Sequence, residues 1–121
     1  MKARILIVDD APCQRDRTAA LLEADGFEVV GTAGDGHEAV EAFHALDPDL
    51  VTMDLMLPSC CGVEAVRRIR ALDPEARVLV TSARGQEALV MEALQAGASD
   101  FVVKPLARET LLHVLKKVLP L

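Results

Sequence analysis

Ile5-Leu6-Ile7-Val8-Asp9-Asp10 runs four aliphatic residues straight into two acids. A short apolar, β-branched run without polar alternation reads as a strand buried on both faces, the pattern of a parallel sheet covered by helices. The pattern recurs in Leu50-Val51-Thr52-Met53, which leads into Asp54. If the two runs are parallel strands, three carboxylates meet at one sheet edge, where their repulsion calls for a cation or a shared proton.

Outward from these runs, five apolar segments alternate with five longer segments of helical period. The expected strands are Arg4–Val8, Phe27–Val30, Leu50–Met53, Val78–Thr81 and Phe101–Val103. The first helix, about Cys13–Asp25, turns Thr18, Leu21 and Leu22 inward and stops at Gly26. The second opens at Gly34-Asp35-Gly36 and packs Ala39, Val40, Phe43 and Leu46 until Asp47-Pro48 ends it. A third packs Val66, Ile69 and Leu72 before Asp73-Pro74, and a fourth, about Gln86–Ala96, buries Val90, Ala93 and Leu94 before Gly97. The last carries Leu111, Val114, Leu115 and Val118, with Lys116-Lys117 at the negative end of its dipole. Leu89, Met91 and Leu112 fall off these stripes and are expected at the surface.

The series predicts an α/β fold, a flavodoxin-like (βα)5 doubly wound parallel sheet of five strands in the order 2-1-3-4-5, as one domain over 1–121. Right-handed crossovers bring all strand C-termini to one edge, and a ligand site is expected where strand order reverses, between the first and third strands.

Composition narrows the chemistry. The only aromatics are Phe27, Phe43 and Phe101, so the core is aliphatic and base stacking has little to work with. A net charge of −6 argues against a phosphate-backbone binder. Cys13, Cys60 and Cys61 are odd in number and two are adjacent, which disfavours a disulfide framework. Nor do His37, His44 and His113 have metal-ligand spacing to a partner. No apolar stretch approaches the roughly 18 residues of a membrane span, and no signal peptide precedes the first strand, so a cytoplasmic protein is expected.

Residues following the strands are Asp9 and Asp10 after the first, Asp54 after the third, Ser82 after the fourth and Lys104 after the fifth. Hard oxygen ligands in this number suit Mg²⁺, and a carboxylate beside Mg²⁺ can attack phosphorus to form an aspartyl phosphate. A hydroxyl and an ammonium then stabilise the phosphoryl oxygens, roles that suit Ser82 and Lys104. Taken singly, each residue has a plainer reading: the acids as helix caps, Ser82 as a strand-end hydroxyl interchangeable with Thr81, Lys104 as surface charge. Their convergence on one edge favours the site.

The residues resemble the receiver domains of two-component response regulators over nearly the whole chain. The motifs are Ile-Leu-Ile-Val-Asp-Asp (5–10), Met-Asp-Leu-Met-Leu-Pro (53–58) with Gly62, Thr-Ser-Ala (81–83) and Gln-Ala-Gly-Ala-Ser-Asp-Phe-Val-Val-Lys-Pro (95–105). The resemblance implies that Asp54 accepts a phosphoryl group from a sensor histidine kinase, and that Asp9, Asp10, Asp54 and the Met56 backbone carbonyl hold Mg²⁺, Asp9 partly through water. It implies that Ser82 and Phe101 form a switch, with Lys104 at the phosphoryl group and a cis peptide before Pro105. Met56 and Arg84 stand where the family tunes acyl-phosphate hydrolysis. Cys13, Gln14 and Ser59-Cys60-Cys61 depart from the usual segments without touching the acids.

The function so implied is that of a non-enzymatic, monomeric phosphoacceptor. It is of the stand-alone chemotaxis type, signalling to a flagellar motor switch protein or another target through the fourth helix, fifth strand and fifth helix. Two alternatives are a receiver excised from a longer regulator, such as a transcription factor, or a phosphorelay intermediate. A phosphohydrolase of the haloacid dehalogenase type fits less well, because its acids are spaced Asp-x-Asp and it needs a cap.

Overall fold

A computed structural model describes residues 2–120; Met1 and Leu121, the ends of the expected 1–121 domain, lie outside the described residues. Ten elements alternate along the chain: β1 (Arg4–Val8), α1 (Pro12–Ala24), β2 (Glu28–Ala33), α2 (Gly36–Leu46), β3 (Leu50–Asp54), α3 (Gly62–Leu72), β4 (Val78–Ser82), α4 (Glu87–Ala96), β5 (Asp100–Val103) and α5 (Arg108–Val118). All strand pairs are parallel, in the order β2-β1-β3-β4-β5. Among the described residues, no helix is long and apolar enough to cross a membrane.

The central strands β1, β3 and β4 are buried on both faces because helices cover both sides of the sheet. Ile5, Ile7, Leu50, Leu79 and Val102 pack with Leu22 of α1 and Leu111, Val114 and Leu115 of α5. On the other face, Leu6, Val8, Val51, Met53, Val78 and Val80 pack with α2, α3 and α4. Helix ends follow the backbone rules: Gly26 and Gly97 take positive φ, Asp47 closes α2 in the left-handed region, and Asp73 is extended before Pro74. At the start of α2, Asp35 accepts the Glu38 N–H at 2.8 Å while the Glu38 carboxylate accepts the Gly34 N–H at 2.8 Å, a reciprocal cap. The Lys104-Pro105 peptide is cis, as the resemblance implies.

Several expectations need correction. β2 continues to Ala33 rather than ending at Val30, because its pairing with β1 skips one residue and then resumes, Leu6 with Gly31 and Val8 with Ala33. Gly31 is a packing position within the strand, where an added Cβ would sit 2.7 Å from Leu46 Cδ1 of α2. α1 starts one residue early, on Pro12, whose missing N–H costs nothing at that position. Leu72 is 52% exposed instead of packed. The spacing Val63, Val66, Ile69, Leu72 advances three residues at a time, and each step rotates about 60° off the buried face of a 3.6-residue helix. The last turn of α3 instead brings Arg70 inward, where its guanidinium donates to the Ala76 and Gly97 carbonyls at 3.3 and 3.2 Å. Leu89 packs against the α2–α3–α4 core and Leu112 is half-buried, leaving Met91 as the exposed member of that trio.

Two positions of the same apolar run therefore differ sharply in their expected energetics. Ile69→Ala should destabilise the protein by about 2–5 kcal/mol, the usual range for a fully buried aliphatic side chain. Leu72→Ala should stay within about 0.5 kcal/mol. Urea unfolding of the two variants measures the contrast.

Candidate functional site

Side-chain alternation determines what the sheet edge carries. Ile5 and Ile7 of β1, Leu50 of β3 and Val102 of β5 all face α1 and α5. A period of two carries Asp9, Asp54 and Lys104 to that same side, just past the strand ends or at the last strand residue. The register of β1 on β3 ends with Val8 opposite Met53, which sets Asp9 beside Asp54.

There, one oxygen each of Asp9, Asp10 and Asp54 lies within 4.8 Å of the others. Asp9 and Asp54 are buried, whereas Asp10 opens to solvent. Lys104 Nζ bridges the buried pair, 2.9 Å from Asp9 Oδ2 and 3.2 Å from Asp54 Oδ2. The remaining carboxylate oxygens close turns: Asp9 Oδ1 accepts the Ala11 N–H at 3.0 Å and Asp54 Oδ1 accepts the Met56 N–H at 3.1 Å. Neither acid caps a helix, since the N-cap of α1 is Ala11 and that of α3 is Cys61.

Burial pushes the Asp54 carboxyl above its ordinary range, and the Asp9 charge adds to this; Lys104 and the Met56 N–H oppose without cancelling it. Burial acts to lower the Lys104 ammonium, but its hydrogen bond to Asp9 and the charge of Asp54 outweigh burial and hold it above the usual lysine value. One ammonium facing three acids leaves an excess of negative charge with hard oxygen donors and one open side. That donor set fits a divalent cation such as Mg²⁺, which prefers carboxylates and keeps part of its water shell.

Close backbone contact holds the loops around this cluster. An added Cβ at Gly62 would run into the Asp54 carbonyl and sit 2.7 Å from Leu55 Cα, and the Gly62 N–H donates to Leu55 O at 3.1 Å. At Gly36 an added Cβ would collide with the Cys60 backbone, so α2 begins directly against the loop that follows Asp54.

Ser82 is 1% exposed, and its carbonyl accepts the Lys104 N–H at 2.7 Å. Thr81, the register partner of Asp54, is also buried, but Ser82 alone of the two lines a groove of about 410 Å³ between α4 and β5. Phe101, Met91 and Val103 line the same groove, 39%, 56% and 41% exposed. Met56 presents its backbone N–H to Asp54 while its side chain is exposed, and Arg84 is exposed at the groove mouth. One neighbour escaped the sequence reading: Arg15, whose Nη1 donates to the Asp9 carbonyl at 2.7 Å. Its position in the first turns of a helix that leaves the acid-bearing edge is the signal that could have singled it out.

Fold and site together define a doubly wound α/β protein with an acidic, lysine-bridged pocket at its switch point. The chain belongs to the response regulator receiver domain family, whose model matches residues 5–116. It is 45% identical over 118 residues to the chemotaxis protein CheY of Thermotoga maritima, covering 98% of both chains. To CheY of Bacillus subtilis it is 44% identical, covering 98% of this chain and 99% of that one. A CheY in a crystal structure of a CheX-CheY-BeF3-Mg complex from Borrelia burgdorferi superposes with a TM-score of 0.88 at 36% identity, over 95% of this chain and 88% of that one. The protein is thus a CheY-like response regulator.

The electrostatics give a signed expectation for the metal-free protein. Because folding raises the Asp54 pKa, the folded state holds that proton more tightly, and stability falls as pH rises from the ordinary carboxylate value of 3.8 through the raised one. Asp54→Asn removes the buried charge, so without divalent metal it should melt above wild type at neutral pH. That advantage should shrink as pH is lowered toward 4, which parallel thermal melts would show.

Proposed function

We propose that Asp54 accepts a phosphoryl group from the phosphohistidine of a sensor kinase, and that the modified protein signals to a flagellar motor switch protein or comparable chemotaxis target. The observation that supports this most is the Lys104 ammonium shared by Asp9 and Asp54 at the open acidic pocket. An ammonium held against Asp54 is the positive charge that a phosphoryl group on that carboxylate would need. The names of the CheY relatives, and the BeF3 and Mg of the Borrelia complex, support the same reading.

In this reading an Asp54 carboxylate oxygen attacks phosphorus. The new P–O bond forms as the donor's P–N bond breaks, and the imidazole nitrogen leaves with that electron pair. Lys104 exchanges its contact with Asp54 for one to a phosphoryl oxygen, and the Ser82 hydroxyl donates to another. Held by Asp9, Asp10, Asp54 and the Met56 carbonyl, Mg²⁺ would supply positive charge against the phosphoryl oxygens. Ser82 drawn toward the phosphate vacates space at the inner end of the groove, and Phe101 turns from its half-exposed position into it. The surface of α4, β5 and α5 then changes its affinity for the target. The protein acts as a monomeric cytoplasmic phosphoacceptor, with self-phosphorylation and self-dephosphorylation but no turnover of an external substrate.

Incubation with Mg²⁺ and acetyl phosphate should add one phosphoryl group per chain by intact mass, and Asp54→Asn should abolish it. An unmodified wild type, or labelling that survives the substitution, would sink the assignment.

Met56 bears on lifetime. Its exposed apolar side chain near Asp54 has no hydrogen-bond donor and only a weak thioether acceptor with which to orient an attacking water, so self-dephosphorylation should be slow. Met56→Asn supplies such a group and should shorten the phosphoryl lifetime at least several-fold, as followed by loss of the added mass after the donor is removed.

A further inference from the structure

The second strand is the one whose C-terminus brings no acid, hydroxyl or ammonium to the site, yet its loop touches both acid-bearing loops. From β2, the Ala33 carbonyl accepts the Asp9 N–H at 3.1 Å. From α1, Arg15 Nη1 donates to the Asp9 carbonyl at 2.7 Å. The two peptide groups of Asp9 are therefore held by two different elements, immediately beyond the last β1–β2 register pair, Val8 with Ala33.

Arg15 reaches that carbonyl across Gly34. An added Cβ there would lie 3.3 Å from Arg15 Nη1 and 3.6 Å from Glu38 Oε2, so the missing side chain leaves room for the guanidinium. Two residues on, Gly36 lies against the Cys60 backbone in the loop after Asp54. The chain of contacts thus runs from Arg15 and Asp9 through the Gly34-Asp35-Gly36 turn to the loop that follows Asp54.

We infer that Arg15 is a positioning residue for the cation site: by fixing the Asp9 peptide against the Gly34–Gly36 turn, it sets the direction of the Asp9 and Asp10 carboxylates. It acts through Asp9 and is assigned no contact with a phosphoryl group. The inference rests on the proposed Mg²⁺ role of the acids. Its sign separates it from a simple charge effect. An arginine near a cation site repels the cation, so on charge alone its removal tightens binding. As a positioning residue, its removal weakens binding, on the scale of the 10- to 100-fold losses typical when a group supporting a metal ligand is deleted.

The test is isothermal titration of the full chain with Mg²⁺, suited to a protein without Trp or Tyr. Arg15→Met keeps the apolar stem, Arg15→Lys keeps the charge and a donor, and Arg17→Met removes an exposed arginine of the same helix as a charge control. Thermal melts in EDTA verify folding of each. Arg15→Met should weaken Mg²⁺ binding about tenfold, Arg15→Lys should fall between it and wild type, and Arg17→Met should match or slightly exceed wild type. The inference is overturned if Arg15→Met binds as tightly as wild type or more tightly, or if Arg15→Lys is no better than Arg15→Met. Failure of wild type to bind Mg²⁺ would instead overturn the metal assignment on which it rests.

Discussion

Three carboxylates within 4.8 Å of one another form the constraint around which the site is arranged. Two are buried, where solvent screens them least, and a single ammonium sits between them. The imbalance is visible in Asp54, whose carboxyl is held above its ordinary range even with Lys104 at 3.2 Å. Like charges this close repel, and close backbone packing around them opposes their separation. The glycine contacts at Gly62 and Gly36, where backbone lies directly on backbone, supply that restraint for the loop after Asp54. The closely packed like charges are thereby held together, and the cluster stays receptive to added positive charge.

That frame follows from the sheet. Parallel strands buried on both faces bring all C-termini to one edge, and the β1–β3 register decides which residues meet there. A one-residue slip of β3 on β1 would turn Asp54 to the other face, against α2 and α3, and Met53 to the acid side. The apolar pattern of both strands leaves such a slip without an obvious polar penalty inside the sheet. Its cost falls at the edge, where Asp54 would lose Lys104, and in the fit of Met53 and Leu50 to opposite cores. Site and register support each other.

The central strands and the residues at their ends were legible because burial on both faces leaves an unmistakable aliphatic run, and each run stops at a polar residue. Legibility failed where a residue's role depends on a neighbour distant in sequence. Gly31 reads as a strand end, yet β2 continues through it because pairing with β1 resumes there, and the glycine leaves room for Leu46 of α2. Leu72 fits an apolar spacing of three, but that spacing drifts around the helix and leaves it in solvent. Arg15 resembles any helical arginine until the fold brings the Asp9 carbonyl within 2.7 Å. Family resemblance located Ser82 and Phe101 where residue chemistry alone could not separate Ser82 from Thr81; their shared groove appears only in three dimensions.

For the proposed phosphorylation, strand alternation bears on how an event on one side of the sheet would be read on the other. Lys104 follows Val102 to the α1–α5 side, with Asp9 and Asp54. Ser82 has the parity of Val78 and Val80, which face α2, α3 and α4, and it lines the groove beside Phe101. The two sides are joined by one backbone hydrogen bond, Lys104 N–H to Ser82 O at 2.7 Å, at the end of the β4–β5 ladder. Drawing the Ser82 side chain and the Lys104 ammonium toward one phosphoryl group would strain or shift this shared peptide link. The link is short, and Ser82 is buried. In the proposed function, the half-exposed Phe101 and the groove it lines beside this link are where that displacement would be taken up.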